Sequence, residues 1–121
     1  MRERSSRMTE EHTKKANILG TEYTIYYQSE NPRFDKCDGY TDFSTKEIFV
    51  MIQKPNQDWW QDIRYYEKYV LRHEIIHAFL FESGLDSQSN EVEEWAKNEE
   101  MIDWLAIQFD KIKKVFNKLK I

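Results

Sequence analysis

Cysteine is almost absent from this 121-residue chain. Cys37 stands alone, which excludes an internal disulfide framework and fits a reducing compartment. No apolar run is long enough to cross a bilayer, and the first 17 residues, MRERSSRMTEEHTKKAN, carry charge where a secretion signal would carry an apolar core. The expected location is cytoplasmic. Charges of both signs are interspersed and sum to -4, so the broad basic field that draws proteins to nucleic acid is missing. Neither a nucleic-acid nor a membrane partner is expected. Global disorder is excluded as well, because aromatic residues make up 15% of the chain despite a mean hydropathy of -0.85. At this length there is material for one hydrophobic core and not two.

Histidine is scarce too, with three in all, yet two of them share one five-residue window. Within residues 71–85, LRHEIIHAFLFESGL, His73, Glu74 and His77 spell H-E-x-x-H. On a helix this spacing puts two imidazoles one turn apart on one face, fit to grip a single zinc ion. Glu74 then lies beside the metal, where it can take a proton from a zinc-activated water and deliver it to a leaving amine. So short a motif also arises by chance in unrelated helices. Here it sits in an apolar stripe of Ile63, Tyr66, Val70, His73, His77 and Leu80, spaced alternately by three and four. A second stripe, Tyr65, Tyr69, Ile76 and Phe79, predicts a helix apolar on most sides that runs through the middle of the domain. Imidazoles buried there need a metal or a hydrogen-bonding neighbour. Asp58 with Gln61, after Pro55, predicts the helix start, and Ser83-Gly84-Leu85 its end, with Gly84 left-handed. The helix should span roughly 25 residues.

Residues 1–17 lack periodicity and are expected to form a flexible or loosely helical arm, with a single domain over 18–121. His12, in solvated surroundings with no partner at ligand spacing, is not expected to bind metal. Residues 18–28, ILGTEYTIYYQ, alternate like a first strand, and residues 29–38, with Asn31-Pro32, read as a loop. Tyr40 and Phe43 mark a second short strand. Residues 44–47 turn the chain into a third, 48–53, which pairs with the second as a hairpin. The result is an α+β fold, a small, mostly antiparallel sheet of about three strands packed on the long helix. Cys37 in the loop is read as inert, the alternative being a thiolate that blocks a zinc ion as a fourth ligand. Beyond the linker 86–89, Asn90 with Glu93 predicts a second helix, its core stripe Val92, Trp95, Ile102, Leu105 and Phe109. Residues 111–121 alternate lysines with Ile112, Val115, Phe116 and Leu119. The preferred reading extends the second helix and docks it on the sheet. The alternative is a basic amphipathic helix that binds a partner or a membrane surface.

Catalytic zinc takes three protein ligands and keeps one position open. No histidine follows His77, so a carboxylate must complete the set, and Glu91, Glu93, Glu94, Glu99, Glu100 and Asp103 are all candidates. Residues 98–103, NEEMID, read N-E-x-x-x-D. H-E-x-x-H followed on a later helix by N-E-x-x-x-D resembles the gluzincins, the thermolysin-like branch of the zinc metallopeptidases. In size and layout the chain is also similar to small stand-alone gluzincin-like proteins of phages and other bacterial mobile elements. The resemblance covers residues 73–103. It implies a zincin-like fold in which Glu99 is the third zinc ligand and Asp103 orients His73 from the second shell of the metal. Glu99 shares its helix face with Trp95, Ile102 and Ala106, whereas Glu91, Glu93, Glu94 and Glu100 read as a solvated face; Glu100, one position away, is the runner-up. Full-length gluzincins carry a further domain and a downstream histidine or tyrosine that stabilises the oxyanion. Neither follows Asp103 here, and a tyrosine between residues 23 and 40 is the available substitute.

The expected function is a zinc-dependent metallopeptidase. His73, His77 and Glu99 hold Zn2+, Glu74 is the general base and acid, and a peptide or protein substrate lies along the hairpin edge, residues 46–53, as an added strand. A second reading is a zinc-bound but non-proteolytic regulatory or interaction module of a phage or mobile element. A third is a metal-free helical domain with coincidental histidines. Metal content separates the third from the others; loss of proteolysis in Glu74→Gln with zinc retained separates the first two.

Overall fold

The computed structural model of the chain describes residues 8–54, 62–85 and 95–120. Leu19 and Gly20 set how it begins. Both have positive φ, 51° and 93°, as a two-residue hairpin turn of the kind matched to strand twist requires, and the Asn17 side chain caps the turn by accepting from Gly20 N at 2.8 Å. They join strand β1, His12–Ile18, to strand β2, Thr21–Gln28, in register from His12 opposite Tyr27 to Ile18 opposite Thr21. The segment expected as a flexible arm is therefore an edge strand from His12 onward. Its lysines and polar residues hide the alternation, and the same charges guard an exposed sheet edge.

Strands β3, Gly39–Asp42, and β4, Glu47–Met51, form the expected hairpin, turned at Lys46 (φ 61°) and held by Asp42, which accepts from Ser44 N and Thr45 N. The strand order is β1-β2-β4-β3, with β2 and β4 parallel and the other two pairings antiparallel. The sheet thus has four strands where about three were expected, and it is mixed. β4 is interior, so the free edge beside the helix is β3 and not residues 46–53. Between β2 and β3 the chain makes a short 3-10 turn, Pro32–Asp35, capped by Asn31.

One sheet face carries Tyr23, Ile25, Tyr27, Ile48 and Val50, all buried with Ile18 and Ile52 against the long helix. The opposite face is half-buried at Tyr26, Phe49 and Tyr40. There Tyr26, Phe49 and Tyr40 stack across three strands, and the Arg33 guanidinium lies 4.0 Å from the Tyr40 ring centre.

Helix α1, Ile63–Glu82, starts at Asp62, whose side chain accepts from Tyr65 N at 3.1 Å. It is 20 residues long, shorter than expected, and the anticipated start at Asp58 and Gln61 lies outside the described residues. It ends as the sequence indicates, with Gly84 at φ 88°. Its buried positions are Ile63, Glu67, Val70, Glu74 and Ala78, one step of helical phase away from the expected stripe. Tyr65 and Phe79 are exposed, so the helix is apolar but not enclosed on most sides. Buried Glu67 is satisfied by Thr9 Oγ1 (2.5 Å) and Gln53 N (2.8 Å), which lash the helix to one end of the sheet, where β1 begins and β4 ends. At the other end Glu82 accepts from Thr21, Tyr23 and Lys46.

Helix α2, Glu99–Leu119, follows a 3-10 turn, Trp95–Lys97, and is capped by Asn98, which accepts from Met101 N at 2.8 Å. The cap expected at Asn90 lies outside the described residues. Ile102 and Ala106 are buried, and Arg72 Nε of α1 donates to Ala106 O. Residues 111–119 do extend this helix, but it packs on α1, and Phe109, Val115, Phe116 and Leu119 remain exposed where docking on the sheet would have covered them.

Candidate metal centre

The helical phase of α1 places three motif side chains differently. Glu74 points toward the sheet and is 7% exposed, while His73 and His77 sit at its margin, each side chain 17% exposed, facing the start of α2. The expectation of histidines on the buried stripe is corrected by one position. Asn98 caps α2 so that its first residue, Glu99, meets them.

His73 Nε2 lies 3.2 Å from His77 Nε2, Glu99 Oε1 lies 3.0 Å from His73 Nε2, and the third edge, to His77 Nε2, is 3.4 Å. Among the described residues these three form a group that could hold a metal ion. Two nitrogen donors about 2.0–2.1 Å from one ion at a tetrahedral angle stand about 3.3 Å apart, so the triangle has the size of one face of such a site. Asp103 Oδ1 is 2.6 Å from His73 Nδ1, which fixes the proton there and leaves the lone pair of a neutral imidazole on Nε2. With Nε2 presenting a lone pair toward Glu99 Oε1, the donors converge as metal ligands do, whereas a doubly protonated ring would donate Nε2–H to Glu99. Glu99 is not buried as expected from its helix face; its side chain is 67% exposed, and the group opens to solvent. Glu100 is exposed and outside the group, and Glu91, Glu93 and Glu94 lie outside the described residues.

Behind the triangle, Tyr69 OH donates to the same Asp103 oxygen at 2.7 Å, and burial with this bond lifts the Tyr69 phenol to about 12. On the sheet side, Thr41 Oγ1 donates to Glu74 Oε1 at 2.8 Å and lies 3.3 Å from the Glu74 carbonyl. Burial pushes the Glu74 carboxyl above the ordinary carboxylate range; the Thr41 bond and the two imidazoles oppose that rise, and Glu99 adds to it. Strand and helix come this close because residue 39 is glycine. A Cβ there would stand 2.6 Å from Val70 Cγ1 and 2.9 Å from Phe49 O. Neither Thr41 nor Tyr69 was singled out for this role from the sequence. Tyr69 carried a signal, four residues before His73 on the same face, whereas Thr41 reaches Glu74 across 33 positions with no local pattern.

A cleft of about 400 Å³ opens over the group, lined by Cys37, Gly39, Thr41, Phe43, Glu74 and Glu99 among others. Cys37 shares this cleft but not the metal-sized group, and its Sγ donates to Arg33 O at 3.3 Å. His12 is remote, stacked on Tyr27. Of the tyrosines between residues 23 and 40, Tyr23 donates to Glu82, Tyr26 to Glu47, and Tyr40 OH accepts from Asn31; Tyr27 faces the core. Only Tyr40 among them lines the cleft. No family model, no curated protein and no solved structure matches this chain. None of its described helices is long and apolar enough to cross a membrane.

Proposed function

We propose that the protein is a zinc-dependent metallopeptidase of gluzincin type, with His73, His77 and Glu99 as the metal ligands. The observation that carries this reading is the near-equilateral triangle of two imidazole nitrogens and one carboxylate oxygen, with Glu74 between the histidines in sequence. Two nitrogens and one oxygen with a side open to solvent is the donor set of catalytic zinc. Zinc bound there would acidify water and polarise the scissile carbonyl. Thr41 holds one oxygen of Glu74, leaving the other free to take a proton and return it to the departing amine. Asp103 and Tyr69 keep His73 in one tautomer and orientation. An extended peptide would add to the free edge of β3, whose residues line the cleft.

One observation favours a second reading, a zinc-bound regulatory or interaction module without proteolysis, such as a phage or mobile element would carry. Of the tyrosines between residues 23 and 40, Tyr23 and Tyr26 donate their hydroxyl protons to Glu82 and Glu47 and Tyr27 is buried, which leaves Tyr40 alone as a candidate oxyanion donor. Glu74→Gln decides between them. Under the first reading the variant keeps its zinc and cleaves a denatured-protein substrate about 10²-fold or more slowly than wild type, as loss of a general base requires. Equal cleavage by both proteins, or none by wild type across a peptide library, favours the second.

A further inference from the structure

The second half of α2 carries an apolar face that the described residues leave open. Trp104, Phe109, Val115, Phe116 and Leu119 are each between 46% and 62% exposed. At about 100° per residue they fall with Ile112 in one arc of the helix, and Lys111, Lys113, Lys114 and Lys118 fall with Ile107 in the opposite arc, Lys120 following at the left-handed cap. Five lysines against one acid, Asp110, make this stretch strongly basic within a chain of net charge -4. Phe109 also joins the face to an apolar groove between the helices, where Phe79 of α1 is 42% exposed.

We propose that this face docks the protein peripherally on an anionic lipid bilayer, reversing the expectation that no membrane is involved. The preferred reading of residues 111–121 had them dock on the sheet, whereas α2 packs on α1 and leaves this face exposed. A strongly charged face opposite aromatic and aliphatic side chains, on a helix of low net hydrophobicity, is the pattern of a helix that lies in the membrane interface. The lysines supply the charge that anionic headgroups complement. They count against a second copy of the chain, since pairing two such faces crowds like charges. The arc, widened by Trp104 and Val115, is broader than the two-position seam one partner helix would cover. The proposal is independent of the metal centre.

The test is co-sedimentation of the whole chain with vesicles of phosphatidylcholine alone and of phosphatidylcholine with phosphatidylserine in about a 2:1 ratio. The protein should sediment with the second and not the first, and about 0.5 M salt should weaken the interaction. The paired variants Phe109→Ser/Phe116→Ser and Lys113→Glu/Lys114→Glu, all at exposed positions, should each lose about tenfold or more in partitioning with an unchanged circular-dichroism spectrum. Failure of wild type to sediment with phosphatidylserine vesicles overturns the proposal, as does wild-type partitioning by the phenylalanine pair. A wild-type dimer that this pair dissolves, without vesicle binding, overturns it in favour of a second copy.

Discussion

Glu74 and His73 are each held by one neighbour brought from another element, and this is where single substitutions should act on chemistry rather than on folding. Thr41 sits on β3 at the helix-facing side, and its hydroxyl is the donor that positions a buried carboxylate. Thr41→Val removes that donor at nearly constant volume. The expected outcome is kcat lower by about ten- to a hundredfold with zinc retained, part of the ~10²–10⁴ that general acid–base catalysis supplies. Thr41→Ser, which restores a hydroxyl, should recover most of it; steady-state kinetics of the two variants decides. A Thr41→Val protein with wild-type kcat would remove Thr41 from the site's machinery. At this scale the candidate metal group is legible in the sequence: H-E-x-x-H marks His73 and His77 by spacing, and N-E-x-x-x-D marks Glu99 with Glu100 as runner-up, although the cap was expected at Asn90 and is Asn98. The sequence is silent about Thr41, whose role exists only once β3 is laid along α1.

At the scale of elements, the contact of β3 with α1 is what converts a helix bearing H-E-x-x-H into a cleft. Gly39 permits it. Gly39→Ala forces Val70 or the Phe49 backbone to move, a strain of the order of 1–3 kcal/mol by the cost of overpacking, measurable as a lower urea midpoint. Activity should fall further than stability alone explains, since displacing β3 also parts Thr41 from Glu74. The elements legible in the sequence were those with strong periodicity: α1, α2, the β3–β4 hairpin and the aromatic alternation of β2. β1 was missed because an edge strand written His-Thr-Lys-Lys-Ala-Asn-Ile buries only its last residue. The one-position error in the phase of α1 has a similar cause. Glu67 and Glu74 occupy buried positions, so the polar residues of the buried face read as solvent-facing and shift the apparent stripe onto the histidines.

Across the whole molecule, α1 is fastened to the sheet at both ends by carboxylates, and one of them, Glu82, makes stability depend on acid in a defined direction. Glu82 is held below the ordinary carboxylate range, first by its hydrogen bond from Lys46 and then by Tyr23, with burial opposing. A group with a lowered folded-state pKa stabilises the fold above its unfolded value and loses that contribution as pH falls through the folded value. Thermal midpoints should therefore decline below about pH 4–5, the range where free carboxylates titrate. In Lys46→Met the decline should be shallower, because less of the shift remains to be lost. An identical acid limb in the two proteins would exclude Glu82 as its source. The sheet order, with β4 inside and β3 at the edge, is the whole-molecule feature the sequence did not convey: the apolar run of residues 48–52 fits an interior strand but does not say that β2 is its partner or that the pair is parallel. It moves the proposed peptide groove from residues 46–53 to β3.

Zinc stoichiometry in the purified protein decides whether His73, His77 and Glu99 hold a metal, with wild type, Glu99→Ala and Glu100→Ala each dialysed against a weak chelator and assayed by elemental analysis. About one zinc per chain is expected in wild type and in Glu100→Ala, and its loss in Glu99→Ala, as a three-ligand site requires. Wild-type protein without zinc, or Glu99→Ala that retains it as firmly as wild type, would contradict the account.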